Sequence, residues 1–170
     1  MNTKQLQCVI ECVRFMKKNS LGVFAADEIP RIVSRQPVGL IANTDAHHLP
    51  GKHWVAIYVD SEAFGYFFDS LARSPGYYSK NFEHFFAKNC LHTNFNVQRL
   101  QSSLSTVCGH YACYFLSLRS RNMSLIDILV PFGDDYETND HFVYDSVVNR
   151  YPHCFDFEIG QQRCISLNCN

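Results

Sequence analysis

Apolar positions at the start of the chain recur at helical spacing. Leu6, Val9, Ile10, Val13 and Phe15/Met16 predict a helix over 4–17, with Lys17 and Lys18 near its C-terminal end. Val38 to Ala42, just after Pro37, is a short apolar run that reads as a buried strand. His53 to Val59 and Phe64 to Phe68 are rich in β-branched and aromatic residues, and the turn-like Asp60-Ser61-Glu62 between them predicts a hairpin. Ser79 to Lys88 has an amphipathic helical pattern whose Phe82, Phe85 and Phe86 read as core. A strand is expected over about 95–100, followed by a polar loop from Gln101 to Thr106. Cys108 to Arg119 is apolar almost all round, the pattern of a buried central helix. Short helices are expected at 124–130 and 137–148, and 151–170 carries no clear signal. Strands and helices mix without a regular βαβ period, so the expected fold is α+β, a central mixed β-sheet flanked by helices with the buried helix starting at Cys108.

The chain has 170 residues and no repeat or linker, and 1–170 is read as a single domain with a sizeable core. Hydrophobic residues at 46% against 18% charged exclude intrinsic disorder. Fifteen Lys+Arg against sixteen Asp+Glu leave a net charge of -1, so no strong field draws in DNA or an anionic membrane. The longest uncharged apolar stretch, Val107 to Leu118, is too short to span a bilayer. Glu11 and Arg14 interrupt the N-terminal apolar stretch, which does not read as a signal peptide. The expectation is a soluble intracellular protein, monomeric and not secreted, with reduced thiols.

Eight cysteines and eight histidines raise the question of zinc. The available spacings are Cys8-x3-Cys12, Cys108-x4-Cys113, His153-Cys154 and Cys164-x4-Cys169, none with paired Cys-x2-Cys spacing, and no metal is expected. A different chemistry is suggested by the segment from Gln101 to His110. There a polar loop leads into Cys108 at the first position of a helix, where unpaired N–H groups lower a thiol's pKa and can hold an oxyanion. Gly109 removes a side chain that would crowd an approaching carbonyl. A buried structural Cys fits the same segment equally well.

A thiolate nucleophile needs a base, and the base needs an orienting group. His110 lies about 200° round the helix from Cys108 and faces away; His84 and His92 read as solvated, and His47-His48 as an exposed loop. His53 opens a strand. A hairpin centred on Ser61 pairs it with Asp69 for an imidazole–carboxylate hydrogen bond, whereas a four-residue turn pairs it with Ser70. Gln101, seven residues before Cys108, can swing its amide toward the carbonyl under attack and complete an oxyanion hole with the Cys108 N–H.

Gly51-Lys52-His53-Trp54-Val55-Ala56, Tyr66-Phe67-Phe68-Asp69, Gln101 and Cys108-Gly109 together resemble the adenovirus-type cysteine proteases, the adenain family, and more distantly the proteases of SUMO-like modifiers. The order His, acid, Gln, Cys is that clan's order, and the similarity runs from about Leu21 to Leu118. The resemblance implies a thiol endopeptidase with catalytic His53, Asp69, Gln101 and Cys108, and with Gly51, Trp54 and Gly109 at the substrate. Its implied substrates are viral or virus-like capsid precursors cleaved near glycine during virion maturation, in the host nucleus or the virion. It also implies that Cys90 bonds a short activating peptide from a capsid protein. Asp69 departs from the family's usual Glu, and the near-neutral charge argues against DNA stimulation, leaving nucleic acid as an open partner. A virus-like transposon of the Polinton/Maverick type, or a related virus, is the expected source. A deconjugating protease for ubiquitin-like tails and a non-catalytic interaction module are the alternatives.

Overall fold

Side-chain parity along three adjacent strands decides the layering. The computed structural model describes residues 1–155. In chain order the elements are α1 (Thr3–Cys12), α2 (Met16–Asn19), β1 (Ser20–Phe24), β2 (Val38–Asn43), β3 (Trp54–Val59), β4 (Phe64–Phe68), α3 (Pro75–Tyr78) and α4 (Lys80–Asn89). Then come β5 (His92–Phe95), α5 (Cys108–Arg119), α6 (Leu125–Leu129), α7 (Tyr136–Val148) and a 3-10 turn (Pro152–Cys154). The five strands lie in sequence order, β1 parallel to β2, β2–β3–β4 antiparallel, and β5 parallel to β4. Leu40, Ala42, Val55, Ile57, Val59 and Phe67 pack on one face against Phe82, Phe85 and Phe86 of α4. Ile41, Ala56, Tyr58 and Phe68 pack on the other against α1, α5 and α7. The expected α+β architecture, with the Cys108 helix buried on the sheet, is the one observed.

Three local expectations are corrected. The first helix ends at Cys12 because Val13 takes an extended conformation (φ -76°, ψ 107°), and helix resumes only at Met16. The β3–β4 hairpin has a wider turn than expected. The Asp60 carboxylate accepts from the N–H groups of Glu62 (3.0 Å) and Phe64 (2.9 Å), and Ala63 sits at φ 61°, so Val59 pairs with Gly65. That register differs from the expected one by two residues, which preserves side-chain parity and keeps His53 and Asp69 on the same side. The strand expected at 95–100 instead ends at Phe95, because Asn96 turns inward. Its Oδ1 accepts from Asp69 N–H (3.0 Å) and its Nδ2 donates to Asp69 O (2.7 Å).

The thiols are not all reduced. Cys8 of α1 and Cys154 of the 3-10 turn form a disulfide, with Cα atoms 5.6 Å apart, since α1 packs on α5, the turn packs on α7, and the two meet. Cys164 and Cys169 lie outside the described residues.

Candidate active site

The α5 helix puts Cys108 in its first turn, and Val107 before it supplies no side-chain cap. The N–H groups of Cys108 and Gly109 therefore have no local side chain to occupy them, while those of His110 and Tyr111 donate to Val107 O. The His53 imidazole and the Trp54 backbone N–H, at the start of β3, both act to lower the pKa of the thiol. His53, just before β3, is 7% exposed, and its Nε2 lies 2.6 Å from Asp69 Oδ1. With Nε2 engaged, Nδ1 is the ring nitrogen left for the thiol.

Asp69, immediately after β4, is fully buried. Besides His53, its oxygens accept from the N–H groups of Leu71 and Arg73 and from the Tyr78 hydroxyl, each at 2.9 Å. The Tyr78 ring also stacks on the His53 ring (centroids 5.8 Å, 28°). Burial alone would lower the His53 pKa, but the Asp69 carboxylate and the Cys108 sulfur outweigh it and raise the group to about 9. Burial works to raise both partners' pKa values as well, yet His53 holds Asp69 and Cys108 below their ordinary values. The arrangement favours the charged forms of the thiol, the imidazole and the carboxylate together, because each is stabilised by its neighbour.

Gln101 lines the same cleft, about 640 Å³ in volume, with His53, Trp54, Gly51 and Cys108. Its Oε1 accepts from Ser70 Oγ at 2.6 Å, and its Nε2 donates to Ser105 O and Oγ, both at 3.0 Å. The amide is thus oriented by two neighbours and faces the loop before Cys108. Gly51 has φ +83°, and an added Cβ would stand 2.9 Å from Asn43 Nδ2, so glycine is needed for the turn entering His53. Trp54 donates its indole N–H to Met1 O at 3.2 Å.

Gly109, expected at the substrate, is not among the residues lining the cleft. A Cβ there would meet Met1 Cβ at 3.0 Å and Leu6 Cδ2 at 3.2 Å, so its missing side chain admits α1. Cys90 ends α4 beneath the sheet edge, its sulfur 2.6 Å from where a Gly65 Cβ would stand, away from the cleft. Burial, with Asp60 adding to it, pushes the Cys90 thiol up to about 11. Among the other histidines, His84 and His92 are exposed, His47 pairs with Asp27 at 2.7 Å, and His110 is buried on the far side of α5. Tyr78, Asn96 and Ser105 were not singled out in the sequence, and Ser70 only as an alternative partner of His53. Each acts through a partner distant in sequence or a loop contact, and no spacing marks them.

Cys108, His53, Asp69 and Gln101 are thus brought to one cleft from the start of α5, the start of β3, the end of β4 and the loop before α5. No protein-family model matches the chain. Cysteine protease S273R of African swine fever virus is 34% identical over 99 residues, covering 51% of this chain and 35% of that protein. The chain therefore spans about a third of the length of that relative. The crystal structure of ASFV pS273R protease superposes with a TM-score of 0.56 at 19% identity, covering 84% of this chain and 65% of the other, and shows the shared fold. ChlaDub1 from Chlamydia trachomatis superposes with a TM-score of 0.44 at 16% identity, covering 91% of this chain and 82% of the other, and carries no argument here.

Proposed function

We propose that this chain is a cysteine endopeptidase that cleaves capsid precursor proteins of a virus or virus-like element near glycine. The observation carrying this reading is the buried His53–Asp69 contact at 2.6 Å beside a Cys108 thiol held below its ordinary pKa. The Cys108 thiolate attacks the scissile carbonyl, and the His53 imidazolium gives its proton to the leaving amine. Water then enters, His53 takes its proton, and the thioester is hydrolysed. Asp69 fixes the imidazole and supports its cation. Gln101 Nε2 and the Cys108 N–H hold the oxyanion, which requires the amide to exchange a Ser105 contact for the substrate. Similarity to a viral cysteine protease supports a viral setting; action in the host nucleus or in the virion is part of the same proposal and rests on the sequence resemblance. An adenovirus-type or Polinton-type origin rests on the sequence resemblance alone.

Reading Cys90 as the anchor of an activating peptide draws support from β5, whose exposed residues offer a strand edge beside it. A thiol pushed up to about 11 is a slow partner for disulfide exchange, so capture would need that thiol uncovered. A glycine-containing vinyl sulfone tests the central reading. It should label Cys108 in the native chain, not in the denatured chain, and not in His53→Ala. Equal labelling of native and denatured protein would favour a non-catalytic module. Preferential turnover of ubiquitin-like conjugates over capsid precursors would favour a deconjugase.

A further inference from the structure

Away from the cleft, four donor atoms meet where the end of α1 approaches the 3-10 turn. They are the sulfurs of Cys8, Cys12 and Cys154 and a ring nitrogen of His153, all within 4.8 Å of one another. Cys12 Sγ lies 3.0 Å from His153 Nε2. Cys8 and Cys12 stand four residues apart on one face of α1, and His153 and Cys154 are adjacent in the turn. The sequence shows no Cys-x2-Cys pair because the donors come instead from a helix face and from a dipeptide far along the chain.

We propose that Cys8, Cys12, His153 and Cys154 form a structural zinc site of the Cys3His type. Thiolates about 2.3 Å from a tetrahedral zinc stand about 3.8 Å apart, within the span these atoms already occupy. The disulfide between Cys8 and Cys154 is the oxidised form of the same cluster. Two molecules of a thiol reductant such as glutathione cleave it, yielding two cysteine thiols and one reductant disulfide. Zn²⁺ then binds three thiolates and the neutral imidazole, releasing three protons. Cys154 is buried, Cys8 and Cys12 are half-buried and His153 is exposed, so the metal has an entry side and a shielded side. The metal would tie α1 to the 3-10 turn, and the same helix carries Leu6, which packs against Gly109 beside the nucleophile.

The test uses the full chain in a Cys108→Ala background, reduced with a phosphine and freed of metal, with Co²⁺ as the probe. One equivalent should bind, giving tetrahedral d–d bands and thiolate-to-cobalt charge transfer, and Zn²⁺ should displace it. His153→Ala and Cys12→Ser leave the Cys8–Cys154 bond possible. Each should weaken binding by at least the roughly 10–100-fold that loss of an outer-shell partner costs. His153→Cys should restore it. His153 is exposed, so its substitution also reads the site if Cys12→Ser misfolds. Absence of stoichiometric cobalt in the reduced chain, or binding indifferent to His153→Ala, would overturn the proposal. So would a Cys8–Cys154 disulfide that persists in a glutathione buffer with no metal taken up.

Discussion

Asp69 accepts hydrogen bonds from the Leu71 and Arg73 N–H groups and from Tyr78 as well as facing His53, so the carboxylate is fixed before the imidazole charges. Tyr78 contributes twice, through its hydroxyl on Asp69 and its ring on His53. Tyr78→Phe keeps the ring and removes one donor. It should lower kcat about tenfold or less with KM little changed, since it weakens orientation rather than removing a reacting group. Gln101→Ala should cost more, about 10²–10³ in kcat, the usual effect of deleting one oxyanion donor. A kcat within threefold of the parent would mean that Gln101 only braces the loop through Ser70 and Ser105. Ser105→Ala separates the two roles: it removes one of the acceptors competing for the amide, so activity should hold or rise while Gln101→Ala activity stays low.

At the scale of elements, the helix beginning at Cys108 and the hairpin beginning at His53 were both legible, for physical reasons. Cys108 to Arg119 is apolar on every side and can only be buried, and β3 and β4 carry the β-branched and aromatic residues that a two-faced strand needs. The candidate site was legible because a His, an Asp and a Cys fell at the ends of those elements, with a Gln in the polar loop seven residues before the Cys. The exact hairpin register was not legible, because it depends on how the Asp60 side chain caps its own turn. Nor was the end of β5, which is set by Asn96 bonding to Asp69, 27 residues away in sequence. The packing role of Gly109 was not legible, since only the packed structure brings α1 over it. Gly109→Ala should therefore act on stability first. The added methyl meets Met1 and Leu6 at 3.0–3.2 Å, and overpacking of this kind typically costs about 1–3 kcal/mol, readable as a lowered denaturant midpoint. A variant of unchanged stability whose KM alone rises would return Gly109 to the substrate.

For the molecule as a whole, two buried histidines set opposite limits on stability against pH. His53 has a folded pKa raised to about 9 from 6.5. Its contribution is fully present below pH 6.5 and is lost as pH rises through about 9. His110 goes the other way. Burial between Tyr144 (5.0 Å) and Phe155 (5.7 Å) lowers it to about 4, and neither ring nitrogen has a partner among the described residues. Between pH 6.5 and about 4 the unfolded chain takes up a proton that the folded chain refuses, so stability falls as pH drops through that window. Asp69, lowered from 3.8, adds its own loss only at still more acid pH. His110→Phe removes the acid penalty without touching the catalytic groups, and it replaces two unpartnered nitrogens with an apolar ring between aromatic neighbours. Urea midpoints measured from pH 4 to 9 should show the variant's curve flattened below pH 6.5 and parallel to the parent's above it. An acid limb as steep in His110→Phe as in the parent would assign the pH sensitivity to another group.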